Sequence, residues 1–355
     1  MAYTTINDPS AYFQTVLWSG SGSGQAITNG GNSDLQPDFT WIKKRAGGSA
    51  RSHQLYDSTR GTTELLHSNG TNAESTQAAG LTAFGSDGFT VGDDDGVDGS
   101  GGTYVAWQWK ANGGTTSSVS ASGTVLAGTY QANTTAGFSI ITYTGEDDTV
   151  NTVTHGLGTV PHVIIVKGRS GSGRHWRVYH HKNTAAPETD FLKLNETDAT
   201  ADDVNYWYDT APTSSVFSIS TANDVNASTE TYVAYCFAEK QGYSKFGSYV
   251  GNANADGAFV YTGFKPAFVM LKGYNHTGQW VMQDTTRRNY QGDTKYVYAN
   301  LSNAEATNSA LAMDFLSNGF KLRSADDAVN SGDYIYMAFA EQPFVTSTGV
   351  PATAR

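Results

Sequence analysis

Apolar residues along this chain fall in short runs, β-branched or aromatic, broken by Gly, Asn and Asp. That pattern predicts strands joined by tight turns rather than helices. In "TYVAYCF" (Thr231–Phe237), alternation places Tyr232, Ala234 and Cys236 on one face and Val233, Tyr235 and Phe237 on the other. Both sets are apolar, so this strand is expected to be buried on both sides. "VIIVK" (Val163–Lys167) reads the same way, its lysine ending the strand by reaching for solvent.

The runs recur. A proline, an apolar stretch and a lysine at fixed spacing appear as "PDFTWIK" (Pro37–Lys43), "PHVIIVK" (Pro161–Lys167) and "PAFVMLK" (Pro266–Lys272). Each is followed by a second strand: "HQLYD" (His53–Asp57), "HWRVYH" (His175–His180) or "QWVMQD" (Gln279–Asp284). Then come "SDGFTV" (Ser86–Val91), "SSVFSI" (Ser214–Ile219) and "SNGFKL" (Ser317–Leu322), a polar turn, and a closing strand: "TYVAWQW" (Thr103–Trp109), "TYVAYCF" or "DYIYMAF" (Asp333–Phe339). The opening strand recurs at Phe13, Phe138 and Phe246. The order and spacing define an internal triplication.

The chain is therefore expected to be all-β: three tandem β-sandwich units at 1–111, 136–240 and 241–345, with a Gly/Ser/Thr-rich linker at 112–135 and a loose tail at 346–355. The linker carries at most a short strand near Val125 and sets the first unit apart, whereas the short joint holding Tyr243 and Phe246 docks the last two units. Only Thr71–Leu81 and Ser302–Phe315 suggest short helices.

Composition agrees: Gly (39), Tyr (20) and Phe (16) are abundant, and charged residues make up 15%. A net charge of −11 with no basic stripe argues against a nucleic-acid partner. No apolar run reaches the ~20 residues needed to cross a bilayer, so membrane insertion is not expected. The start "MAYTTINDPS" lacks a signal-peptide pattern, which implies folding in a cytoplasm.

Candidate chemistry is sparse. Cys236, the only cysteine, aligns with Gln108 and Ala338 and reads as a buried small residue, not a nucleophile. The loop "VGDDDGVDGS" offers Asp93, Asp94, Asp95 and Asp98 as weak Ca²⁺ ligands, against a plainer reading as hairpin-turn chemistry. His155, His162, His175, His180 and His181 crowd the second unit, read as surface or half-buried strand positions. Asp57 and Asp284 are read as pinning Arg60 and Arg287 in the turns that follow. "GSGSG" (Gly20–Gly24) lacks the ending of a phosphate loop. Trp18, Trp107, Trp109, Trp207, Tyr208, Tyr274 and Trp280 are candidate exposed aromatics, with core packing the stronger reading for Trp109 and Trp280 as for Trp41 and Trp176; Trp18 and the "YWYD" stretch (Tyr206–Asp209) are the candidate contact patch. No cofactor, metal or catalytic residue is assigned.

"GFKPAFVMLK", "LSNAEATNSALAMDFLSNGFKLR", "YIYMAFAEQPF" and "YCFAEKQGYSKFGSYVGN" resemble the repeated β-domains in structural proteins of tailed bacteriophages, marine ones in particular. The resemblance runs from about Asp8 to Phe344. It implies jelly-roll or concanavalin-like sandwiches and a non-enzymatic virion protein, made in the host cytoplasm and exposed on the particle surface. Its partners would be other capsid or tail proteins and host surface glycans. The chain lacks a fibre shaft, so a capsid knob or decoration fits as well as a tail-fibre-like role. The alternatives are a carbohydrate-binding module and a surface-polysaccharide depolymerase, for which no carboxylate pair stands out.

Overall fold

The computed structural model describes residues 3–288 and 294–352. It is nearly all β, in antiparallel sheets. Each sequence unit builds one large sheet with the same strand order: opening, closing, lysine-bearing, then the strand after the lysine and two shorter ones. In the first unit these are Phe13–Ser19, Thr103–Trp109, Phe39–Ala46, Gln54–Asp57, Gly61–Leu66 and Ser75–Thr76. The second uses Phe138–Thr144, Thr231–Phe237, Val163–Gly168, Arg177–His180, Asp190–Lys193 and Ala201–Asp202. The third uses Ser244–Val250, Asp333–Pro343, Phe264–Gly273, Val281–Asp284, Lys295–Tyr298 and Ala306–Thr307. A small sheet accompanies each large one; the strands from "SDGFTV", "SSVFSI" and "SNGFKL" lie in these small sheets.

The closing strand sits between the opening and lysine-bearing strands, which explains why it is apolar on both faces. Tyr232, Ala234 and Cys236 point outward into a core shared with the small sheet, beside Ile164, Phe217 and Ile219. Val233, Tyr235 and Phe237 point inward. The first and third units have equivalent outer cores around Tyr104 and Tyr334.

The inward faces of all three large sheets meet in one cluster. At its centre, the aromatics at the same position of the three closing strands form a closed triangle. Trp109 and Phe237 lie 6.3 Å apart between ring centroids, Phe237 and Phe339 5.9 Å, and Trp109 and Phe339 5.5 Å. Burying each such ring contributes about 1.5–3 kcal/mol. The first unit is thus not set apart: its Phe13, Phe39, Trp107 and Trp109 belong to the same core as Tyr243 and Phe246 from the short joint.

Residues 112–135 are not a free linker. Ser117–Val119 and Gly128–Asn133 add two strands to the open edge of the second sheet, and Gly128–Asn133 pairs with Phe138–Thr144. Val125 makes only isolated bridges, to Ser122 and Thr152. Neither expected helix forms. Thr71–Leu81 holds the short strand Ser75–Thr76, and Ser302–Phe315 holds Ala306–Thr307 and the single 3₁₀ turn Ser309–Leu311 before the strand Met313–Leu316. The reason is tertiary: backbone N–H groups of Glu74 and Glu305 bond to Arg169 and Arg45 of neighbouring units. The tail is tied as far as residue 352, with Asn7 bonded to Ser347 and Ala352 N–H to the Phe344 carbonyl.

Candidate functional site

The recurring polar residues converge on the three junctions between units. The lysines ending the proline-to-lysine stretches do not reach solvent; Lys43, Lys167 and Lys272 are all 0% exposed. Each donates to one carbonyl of its own unit and one of the preceding unit. Lys43 Nζ reaches Arg51 O (2.6 Å) and Ser302 O (3.0 Å). Lys167 reaches Arg174 O (2.5 Å) and Thr71 O (3.1 Å), and Lys272 reaches Gly278 O (2.9 Å) and Thr197 O (3.0 Å). The first unit thereby bonds to the third, the second to the first and the third to the second, closing a ring. Burial pulls each ammonium down to about 8, with Lys44 adding repulsion at Lys43.

Two more bonds follow the same cycle. The residue before the next strand donates a ring N–H to the preceding unit: His53 to Tyr298 O (2.9 Å), Trp176 to His67 O (2.8 Å) and Trp280 to Lys193 O (2.9 Å). Backbone N–H groups of Glu74, Thr200 and Glu305 bond to the carbonyls of Arg169, Tyr274 and Arg45. Behind them, Asn69, Asn195 and Asn300 each accept the N–H of His53, Trp176 or Trp280. These asparagines recur three residues beyond an apolar residue of the preceding strand, Leu66, Leu192 or Val297, a signal available in the sequence.

Two junctions are ionic. Asp57 holds Arg60 at 2.5 Å with both side chains fully buried, and Arg60 continues to Glu74, which pairs with Arg169 of the second unit. Burial raises the Glu74 carboxyl, but the bonds and charges of Arg169 and Arg60 outweigh it and hold it below its ordinary value. Asp284, Arg287, Glu305 and Arg45 repeat the chain between the third and first units. Each aspartate also accepts a donor from the next unit's closing strand: Tyr235 Oη to Asp57 (2.7 Å) and Trp107 Nε1 to Asp284 (3.1 Å).

The remaining junction is uncharged at these positions. Strand register aligns His180 with Asp57 and Asp284, and Asn183 with the two arginines. Met337 stands where Tyr235 and Trp107 stand, with no proton to donate. His180 donates instead to the Tyr336 carbonyl (3.2 Å), while its Nδ1 accepts the Lys182 N–H (3.1 Å). Burial first, then the neighbouring His181, push His180 down to about 3. His155 and His180 are thus fully buried, neither at the surface nor half-buried, while His162, His175 and His181 are half-buried. Beside His180, His162 and His181 stack edge to face at 4.5 Å, and Glu239 receives Lys245 at 2.8 Å.

The other candidates are scattered. Tyr206 and Trp207 are buried in the second unit's outer core, Trp207 donating to Asp190 O, so the expected contact patch reduces to Tyr208. Sequence context did not reveal the short helix Val204–Trp207, which turns the two rings inward. Trp18 is half-buried, stacked on Tyr104 and bonded to Val97 O. Trp107 is in the central core. The exposed aromatics include Phe259 and Tyr261 on the third unit's small sheet.

The acidic loop does not gather its carboxylates. Asp95 pairs with Lys44 and Arg51, Asp94 bonds to Gln77 and Gly96, and Asp93 is exposed. Asp98 is fully buried and accepts the N–H groups of Ser21 and Gly24, the Ser21 hydroxyl and the Gln25 amide. It thus shapes the "GSGSG" turn, as Asn226 and Asn330 shape the equivalent turns. Among the described residues no group of three or more His, Cys, Asp or Glu side chains could hold a metal. Cys236 is fully buried, and burial raises its thiol well above its ordinary value.

The central core leaves about 20 Å³ free, no more than a water's room. Larger openings lie at the rim. One of about 600 Å³ runs along the opening strand of the first unit, against the third; another, of about 480 Å³, lies beside His162, Glu239 and Lys245.

Fold and junctions together define a triplicated all-β protein whose units close on a common core. The chain belongs to the family described as a domain of unknown function (DUF7483), which matches residues 8–343 and so takes in all three units. No curated protein and no solved structure matches it.

Proposed function

We propose that the chain is a non-catalytic structural protein on the surface of a tailed-bacteriophage virion, a capsid decoration or a tail-fibre-like knob. The observation that carries this reading is the triplicated junction. The ionisable and aromatic side chains that recur through the sequence bind unit to unit rather than facing a common cleft. Cross-links of this kind suit a rigid part of a particle. The bacteriophage element rests on the likeness of the Gly263–Lys272, Leu301–Arg323 and Tyr334–Phe344 stretches to repeated β-domains of phage structural proteins. On this reading each unit is a tandem sandwich domain of jelly-roll or concanavalin kind. The partners are other virion proteins, with contact to host surface glycans from the exposed rim.

The test is mass spectrometry and immunogold electron microscopy of purified particles from the genome that encodes the chain. The protein is expected in stoichiometric amounts, with label on the particle surface. Washed particles that lack it overturn the reading.

A further inference from the structure

The three opening strands are equivalent, yet their outer edges end differently. In the second unit the edge of Phe138–Thr144 is covered by Gly128–Asn133, with Gln131 opposite Ile140. The Gln131 amide reaches across to the hydroxyls of Ser58 and Thr59 in the first unit, at 2.7 and 2.6 Å. In the third unit the edge is blocked by side chains: Phe246 N–H donates to Glu239 and its carbonyl accepts from His181.

In the first unit no strand and no side chain among the described residues covers the edge. Lys110 N–H bonds to Tyr12 O and Gly20 N–H to Gly102 O, so even-numbered residues face the closing strand. Phe13, Thr15 and Leu17 therefore turn their N–H and C=O groups outward, and no partner for these groups occurs among the described residues. They line the groove of about 600 Å³. Its opposite wall carries Thr285 and Thr286, the counterparts of Ser58 and Thr59. Thr15, at the position of Ile140, has a buried hydroxyl with no hydrogen-bond partner among the described residues.

We infer that this groove binds an extended, uncharged segment of another polypeptide by strand addition, with a glutamine or asparagine side chain facing Thr15, Thr285 and Thr286. The chain supplies its own template for the occupant in Gly128–Asn133. An unpaired edge offers backbone bonds for affinity, and the hydroxyls supply selectivity. One anchor differs: Asp38, which holds the N–H groups of Ala111, Gly113 and Gly114 beside the template strand, is replaced here by Ala267. The ladder and the hydroxyls must therefore carry the binding.

The probe is a fluorescent peptide of the template, LAGTYQANTT (Leu126–Thr135), titrated into the full-length protein and followed by anisotropy. Saturable binding is expected. It should weaken at least about tenfold when the peptide's glutamine nitrogen is methylated, because that N–H faces the edge, and several-fold when the glutamine is replaced by leucine. Thr15→Pro in the protein removes the matching donor on a strand side that makes no ladder bond, and should abolish binding at an unchanged melting temperature. Hydrogen exchange gives a second readout: the amides of Phe13, Thr15 and Leu17 should exchange fast in the free protein and slow with peptide. No saturable binding, equal binding of the methylated peptide, or slow exchange of these amides in the free protein overturns the inference. A dimer of the protein alone that Thr15→Pro dissociates also overturns it, by assigning the edge to a second copy.

Discussion

The hydroxyl of Tyr235 donates to the carboxylate of Asp57 at 2.7 Å, across the junction between the second and first units. Asp57 in turn holds Arg60, and none of the three is solvent-exposed beyond 9%. Tyr235→Phe removes one buried donor without leaving space. It should lower unfolding stability by about 1–3 kcal/mol in urea titrations. Asp57→Ala, which leaves Arg60 buried without its nearest anion, should cost more, about 3–5 kcal/mol. Equal effects of the two changes would mean that the ion pair contributes little beyond the hydrogen bond.

The buried lysines make a matched set. Lys43→Met, Lys167→Met and Lys272→Met each strand two carbonyls, one on each side of a junction. Each should destabilise by about 1–3 kcal/mol for an orphaned carbonyl, offset in part by the relief of a buried charge. In the native protein these three amines should resist acylation, while the exposed Lys182 reacts. Rapid labelling of Lys272 would show the ring to open readily.

Acid should loosen the junction between the second and third units. Burial and His181 hold His180 at about 3, and burial, then His181, hold His162 at about 4, with Glu239 opposing and Lys245 and Lys182 assisting. Both folded values lie below the ordinary value of about 6.5. The unfolded chain therefore takes up protons first, so stability is full above about pH 6.5 and is lost as pH falls toward 4 and then 3. The bonds give the reason: Nδ1 of His180 accepts from Lys182 N–H and Nδ1 of His162 from Glu239 N–H, and a proton there removes both acceptors. Melting temperature measured from pH 7 to 4 should fall, and His180→Gln should flatten the slope.

Cys236 packs outward between the second unit's two sheets, where the third unit has Ala338. A thiol reagent should leave it untouched in the native protein and modify it fully in denaturant. Cys236→Ala should cost about 1 kcal/mol for the small volume lost. Fast native modification would contradict its burial.

Much of this arrangement was legible in the sequence because it is local. Period-two alternation placed Tyr232, Ala234 and Cys236 opposite Val233, Tyr235 and Phe237, and the outer and central cores divide the residues that way. Asp57 and Asp284 were recognisable as partners of arginines three residues on, because that distance lies within one turn. The "NAE" stretches at Asn72–Glu74 and Asn303–Glu305 misled, since their helix-like composition is overridden by bonds to Arg169 and Arg45 from other units.

What sequence alone determined is the repeat: three sets of strands, their order and the face each residue presents. Tertiary structure decided what those faces meet. A proline-to-lysine stretch is the same three times, but nothing near Lys43 in the chain announces that its ammonium will be satisfied by Ser302. That partner exists only because three inward apolar faces bury one another around Trp109, Phe237 and Phe339, and in doing so bring distant carbonyls against each lysine. Hydrophobic burial is non-directional and chooses the assembly; the directional bonds then fix its register.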